Sequence, residues 1–350
     1  MIKKSTFVIF VYIVLAFLFW YSIGLPVMRG EIDFKFYSDS KTYEWLALST
    51  HDVTSLIRVS GNQVGPVLIT KYVGPLNYTG MFILQLLVFL VAIRMMLKDL
   101  DVRKSSFLIL LFINPVTFSS LFAINKEVFS FLTIACTIRF IERGKYKWMF
   151  YALILSLIVR WQLSLFLIVI MLTFSPINFL YKRKWLYFVL FLIGISALLH
   201  ITRDTLLGDV FAVYEANILK NSAKGSTGLF DKIMIIQDKF GYIVAFVPKL
   251  LHLLIGMTTR ISHVFNPDPV EMYNDVVLYW MGPINMFLLF TIFRKHLFTL
   301  KEPYIFIALI YACIFAITPI YNIRYFYPVG IFLTIVICKN RMLNTESFKE

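Results

Sequence analysis

An all-α, polytopic membrane protein is what the sequence predicts, on three observations. Hydrophobic residues make up 59% of the chain and charged ones only 15%, a balance unlike that of soluble globular domains. Several uncharged runs reach about 18 residues, the length at which an apolar helix begins to span the roughly 30 Å hydrocarbon core of a bilayer. Lysine and arginine fall in short clusters between these runs, where the positive-inside bias places them. The formal charge of +14 therefore points to lipid headgroups as partners and away from nucleic acid. No internal repeat, heptad run or low-complexity tract interrupts the pattern, so residues 1–350 read as one integral membrane domain.

The elements follow in order from charge and hydropathy. Lys3 and Lys4 put the N-terminus in the cytoplasm, and the uncharged run Thr6–Met28 reads as a retained signal anchor, too long for a cleaved leader. Residues 29–75 then form a long outer loop carrying Glu31, Asp33 and Asp39. Tyr72–Ile93 returns inward to Arg94, Lys98, Arg103 and Lys104; Ser105–Asn125 crosses outward, and Glu127–Ile141 comes back to Arg139, Arg143, Lys145 and Lys147. Lys126-Glu127 is thus an outer turn, with an exposed ion pair and a functional site both open as its role.

The clusters Lys145/Lys147 and Lys182-Arg183-Lys184 both want the cytoplasm, yet one hydrophobic stretch, Trp148–Tyr181, separates them. A hairpin of two short helices tipped by Arg160-Trp161-Gln162 satisfies both, and an interruption at membrane depth is tolerated only where protein or a wet cavity surrounds it. A single long span with a snorkelling arginine is the competing reading, and it leaves the second cluster outside. Trp185–Thr202 exits, 203–275 forms a second outer region with an interrupted, re-entrant or interfacial segment at Gly241–Met257, and Val276–Phe293, Tyr304–Ile323 and Tyr325–Cys338 complete the chain. The C-terminus returns to the cytoplasm, for about eight full spans and two partial elements. The cysteines Cys136, Cys313 and Cys338 lie in apolar segments without CxxC or metal-ligand spacing and read as packing residues.

The candidate chemistry concentrates on the outer side. Asp39 precedes a helical-looking stretch, Ser40-Lys41-Thr42-Tyr43, where it caps a helix or acts as an acid-base group; Asp33 is the second acid. Arg160, Arg324 and Lys126 fall at outer or cavity-facing ends of spans. Arginine offers a fork of donors suited to phosphate, and charge at membrane depth is a functional signal by default. Arg324 beside Tyr321, Tyr325 and Tyr327 reads alternatively as an anchor in an aromatic belt. Arg260 and His263, one helical turn apart, have the spacing to meet one phosphate. The remaining outer basic residues, Arg203, Lys220, Lys224 and Lys249, read as solvated or headgroup-facing. Gly225-Ser226-Thr227-Gly228 lacks the ending of a P-loop, which argues against nucleotide.

With these residues in place, the chain resembles the GT-C superfamily of membrane glycosyltransferases. It shares an Asp-Ser-x-x-Tyr loop after the first span, a Gly-x-x-Val-Gly-Pro stretch (Gly61–Pro66) before the second, and broken spans. Asn114-Pro115 with Asn125-Lys126-Glu127, Arg160-Trp161-Gln162 and Asn322–Pro328 narrow the resemblance to bacterial O-antigen and capsule polymerases of the Wzy type. The resemblance implies a bundle of about 8–11 transmembrane and re-entrant helices in the bacterial inner membrane, with long periplasmic loops. Asp39, with Asp33 second, would be the catalytic base. Arg160, Arg324, Lys126, Arg260, His263 and Tyr325 would hold the diphosphate of an undecaprenyl-linked glycan donor. Glu31-Ile32-Asp33 matches the family's metal-binding acids weakly, so a metal- and cofactor-independent reaction is expected. A chain-length regulator protein is an implied partner. A GT-C transferase adding one sugar from a polyprenyl monophosphate, a lipid-linked oligosaccharide flippase, and a non-catalytic member of a synthase complex are the alternatives.

Overall fold

The computed structural model describes residues 3–32, 39–49, 63–174, 184–201, 229–255, 278–317 and 323–340. The described residues are helical throughout their regular structure, with one isolated bridge between Val102 and Lys339. Helix α1 spans Lys4–Arg29 with a π-helical turn at Trp20–Gly24. It buries Tyr12, Ala16 and Trp20 at four-residue spacing, while Phe10, Leu15 and Leu18 on its other faces stay exposed. Asn77 caps α4 (Tyr78–Asp99) by accepting from Gly80 N–H at 3.0 Å, and α4 likewise turns Phe82, Leu86, Phe89 and Ile93 inward and Ile83, Leu87 and Val91 outward. Such exposed apolar stripes suit helices whose outer faces meet hydrocarbon.

The expected outer loop at 29–75 contains two helices, α2 (Asp39–Ser49) and α3 (Val64–Val73). Tyr43, Leu46 and Ala47 of α2 pack on Val64 and Val67 of α3 and on Met81 and Ile124, so these two helices share a small apolar core. The expected crossing at Ser105–Asn125 is broken into α5 (Lys104–Ile113) and the single turn α6 (Pro115–Ser119), because Pro115 cannot donate into a continuing helix and Asn114 caps the new one through Val116 N–H.

Helix α7 (Glu127–Arg143) is buried along most of its length although it carries polar residues, and α14 (Pro303–Ile317) and α15 (Tyr327–Cys338) are hydrophobic all round and buried almost throughout. These three form the centre, with α1, α4, α8 (Tyr146–Val159) and α10 (Lys184–Ile201) nearer the periphery. The expected hairpin is present: α8 ends at Arg160 and α9 (Trp161–Thr173) folds back along it. Ser156 and Ser164, eight positions apart, bring their hydroxyls within 2.8 Å, which a straight helix cannot do.

Within the expected outer region 203–275, Leu229–Phe240 forms α11 and Tyr242–Ile255 forms α12, joined at Gly241 with φ +86° and packed on each other. Lys249, expected to face solvent or headgroups, is instead 0% exposed and donates to Gln237 Oε1 at 2.9 Å. It lies on the inward stripe of α12 with Ala245, His252 and Leu253. Helix α13 (Leu278–Arg294) closes against α15. Among the described residues, α1 and α4 are long and apolar enough to cross a bilayer unaided; the shorter apolar helices run 10–17 residues.

Ionic contacts gather at the two ends of the central helices. At one end Asp99 meets Arg139 at 2.9 Å and also Arg143, Lys339 meets Glu302 at 3.0 Å, and Asn340 donates to Asp101 at 2.7 Å. At the other end of α7 and α15 lie Glu127 and Arg324, about 25 Å away by the rise of the 17-residue α7.

Candidate functional site

Asn125 organises the turn that enters α7. Its side-chain amide donates to Gln85 Oε1 at 3.3 Å and to the carbonyls of Ala123 and Ser120, while its Oδ1 accepts Glu127 N–H at 2.8 Å. Ser40 at the start of α2 donates to Ile124 O at 2.8 Å, and Tyr78 donates to Glu44 at 2.7 Å. These bonds fix Asp39, Lys126 and Glu127 side by side. Arg160 reaches the same place from the extended link between α8 and α9 (φ −158°, ψ 114°), and Arg324 from the 3-10 turn Ile323–Phe326 that leads into Tyr327-Pro328. Gly65 lets α3 approach the link: a Cβ there would lie 2.6 Å from Ile158 Cγ2 and 2.8 Å from Ile158 O.

The charges interlock. Arg160 Nη2 lies 2.7 Å from Glu127 Oε1, Arg324 Nε 3.4 Å from the same oxygen, and Arg324 Nη2 2.6 Å from Asp39 Oδ2. Tyr325 lies under both guanidiniums, 4.1 Å from Arg160 Cζ and 5.7 Å from Arg324 Cζ, and Lys126 Nζ sits 5.6 Å from the Tyr43 ring. Glu127 is 3% exposed and both arginines are buried, whereas the Asp39 side chain is 43% exposed. Three cations thus share two carboxylates, leaving positive charge in excess.

Burial and the neighbouring Arg160 push the Lys126 ammonium down to about 8. Burial would raise the Asp39 carboxyl, but the attraction and hydrogen bond of Arg324 outweigh it and hold the group below its usual range. Burial, then Asp39 and Glu127, push the Tyr43 hydroxyl up, so it stays protonated. Gln162 Oε1 and the Tyr311 hydroxyl, both buried, lack a hydrogen-bond partner among the described residues.

Of the residues singled out from sequence, Asp39, Lys126, Arg160, Arg324 and Tyr325 come together here. Asp33, Arg260 and His263 lie outside the described residues. Two of the alternative readings fall away. Arg324 is buried, not a snorkelling anchor, and Arg160 is packed between Glu127 and Tyr325. Glu127 does not form an exposed ion pair with Lys126 at a turn; its carboxylate is the hub between two arginines. Tyr43 and Gln162, present in the motifs but given no role there, join the site, as does Tyr311, which carries no sequence signal of its own. The signal for Glu127 is an acid opening an apolar helix just after Asn125. Among the described residues no three His, Cys, Asp or Glu side chains converge as a metal site would require.

Such a cluster can seat a polyanion against two guanidiniums and one ammonium while presenting a half-exposed carboxylate at its edge. Comparison with protein-family models, with curated proteins and with solved structures yields no match.

Proposed function

We propose that the chain is a membrane glycosyltransferase that polymerises undecaprenyl-diphosphate-linked oligosaccharide repeat units at the periplasmic face of the bacterial inner membrane, with a GT-C-like bundle of spanning and re-entrant helices. The observation that carries this reading is the gathering of Lys126, Arg160 and Arg324 beside Asp39, at the end of the bundle opposite the Asp99–Arg139 contacts. Lipid diphosphate leaves the donor sugar as an anion, and fixed cations aimed at the departing phosphates lower the barrier.

In this reading Arg160, Arg324 and Lys126 hold the donor diphosphate. Asp39 accepts the proton of the acceptor hydroxyl as its oxygen attacks the anomeric carbon. The bond from that carbon to the diphosphate breaks, releasing lipid diphosphate. At rest Asp39 is a weak base because Arg324 grips it; a phosphate that engages Arg324 loosens that grip and makes the carboxylate more basic when the donor is in place. Tyr325 backs both guanidiniums, and a chain-length regulator would act from outside the cluster.

The test is reconstitution of the purified chain in lipid with an undecaprenyl-diphosphate-linked repeat unit. A polymer ladder that disappears with Asp39→Asn and Arg160→Ala supports the reading. Transfer of one sugar from a polyprenyl monophosphate instead identifies a single-sugar transferase. Translocation of the lipid without glycan growth identifies a flippase.

A further inference from the structure

Glu127 sits where an anionic ligand of the same cluster would sit. Its Oε1 touches Arg160 Nη2 at 2.7 Å and faces Arg324 Nε at 3.4 Å, and water scarcely reaches it. Among the described residues its charged neighbours are Arg160 from the α8–α9 link, Arg324 from the 3-10 turn, Lys126 from the start of its own helix and Asp39 from α2. The hydroxyl-bearing rings of Tyr43, Tyr311 and Tyr325 complete the lining.

A bound diphosphate adds at least one negative charge per phosphate to a seat with a single positive charge in excess. If every acid stayed ionised, the buried seat would become net negative, and crowded anions in low dielectric resolve by binding a proton. Asp39 is half exposed, so water screens it; Glu127 is enclosed and must share both arginines with the newcomer.

We infer that Glu127 takes up a proton from solvent when the diphosphate binds, changing from the internal counter-ion of Arg160 and Arg324 into a neutral hydrogen-bond donor to phosphate oxygen. This rests on the diphosphate reading above. Only the carboxyl O–H bond forms, and it breaks again when lipid diphosphate departs and the two guanidiniums recover their carboxylate. Glu127 is then a positioning residue that makes donor affinity rise as pH falls and keeps the empty seat from holding stray anions.

The experiment is calorimetric titration of the full chain in detergent with magnesium-free inorganic pyrophosphate, in buffers of different ionisation enthalpy. The wild type is expected to take up about one proton more per pyrophosphate than Glu127→Gln, and the variant to bind at least as tightly near neutral pH. Equal proton counts, or weaker binding by the variant, would mean that Glu127 merely holds the arginines in place and would overturn the inference while leaving the diphosphate reading standing. Pyrophosphate binding to neither form overturns both. Should Glu127→Gln fail to fold, infrared difference spectra decide. A protonated-carboxyl band that appears with pyrophosphate in wild type and persists in Asp39→Asn upholds the inference; its absence from wild type, or its loss in Asp39→Asn, sinks it.

Discussion

Arg324 divides one guanidinium between two acids, Nη2 on Asp39 and Nε toward Glu127, and that geometry asks for a planar fork. A lysine offers a single ammonium, so Arg324→Lys is expected to weaken pyrophosphate binding by about tenfold or more although the charge is kept. Asp39→Asn is expected to lower turnover by about 10²–10⁴-fold without weakening donor affinity, since the residue is assigned to proton transfer and competes with the phosphate for Arg324. Lys126 supplies a pH signature. Its ammonium is depressed to about 8, so it is charged below that pH and neutral above it. Pyrophosphate affinity should therefore fall as pH rises through about 8, and this limb should vanish in Lys126→Arg. The stability linkage has the opposite sense. The unfolded chain binds more protons than the native one between about 8 and the ordinary lysine value, so the cost of burying the ammonium is full below that window and disappears above it. Arg160 and Arg324 are legible in the sequence because a guanidinium in an apolar run is expensive and must be used. The role of Glu127 is not, because an adjacent lysine stands in sequence as its natural partner; whether a neighbour in sequence is a neighbour in space is decided by the first turn of α7, where the carboxylate turns to the arginines and Lys126 to the Tyr43 ring.

The α8–α9 break is the element that delivers Arg160, and α3 leans on it through Gly65. Gly65→Ala would gain helix propensity yet force a methyl into Ile158, so it is expected to cost about 1–3 kcal/mol and to shift Arg160 away from Glu127. Denaturation in detergent measures the first effect and pyrophosphate affinity the second; Ile158→Ala should restore both in part by removing the side-chain share of the clash. The hairpin is legible because two basic clusters flank one apolar stretch, and the positive-inside bias asks for both on one side, a conflict only a reversal resolves. The α11–α12 pair is not. Asp231, Lys232, Asp238 and Lys239 give α11 a loop-like composition, and Pro248 with Lys249 gives α12 that of an interrupted segment. Packing of Lys249 against Gln237 is a tertiary pairing that hydropathy along the chain does not register.

Across the whole molecule, α7 and α15 carry the candidate site at one end and the Asp99, Arg143 and Lys339 contacts at the other. With Cys136, Cys313 and Cys338 replaced, Lys41→Cys in vesicles of known sidedness should react with an impermeant thiol reagent from the outer face, and Lys147→Cys from the cytoplasmic face; labelling of both from one face would refute the proposed topology. The helical class is legible because apolar runs of this length have no other stable form in lipid. The helices within 29–75 are less so, because they depend on contacts with Ile124, Met81 and Ile158 that form only in three dimensions. The Asp39–Arg324 bond joins positions 285 residues apart. The pair therefore exists only when both ends of that interval are folded against each other, and a fragment that lacks either residue lacks it.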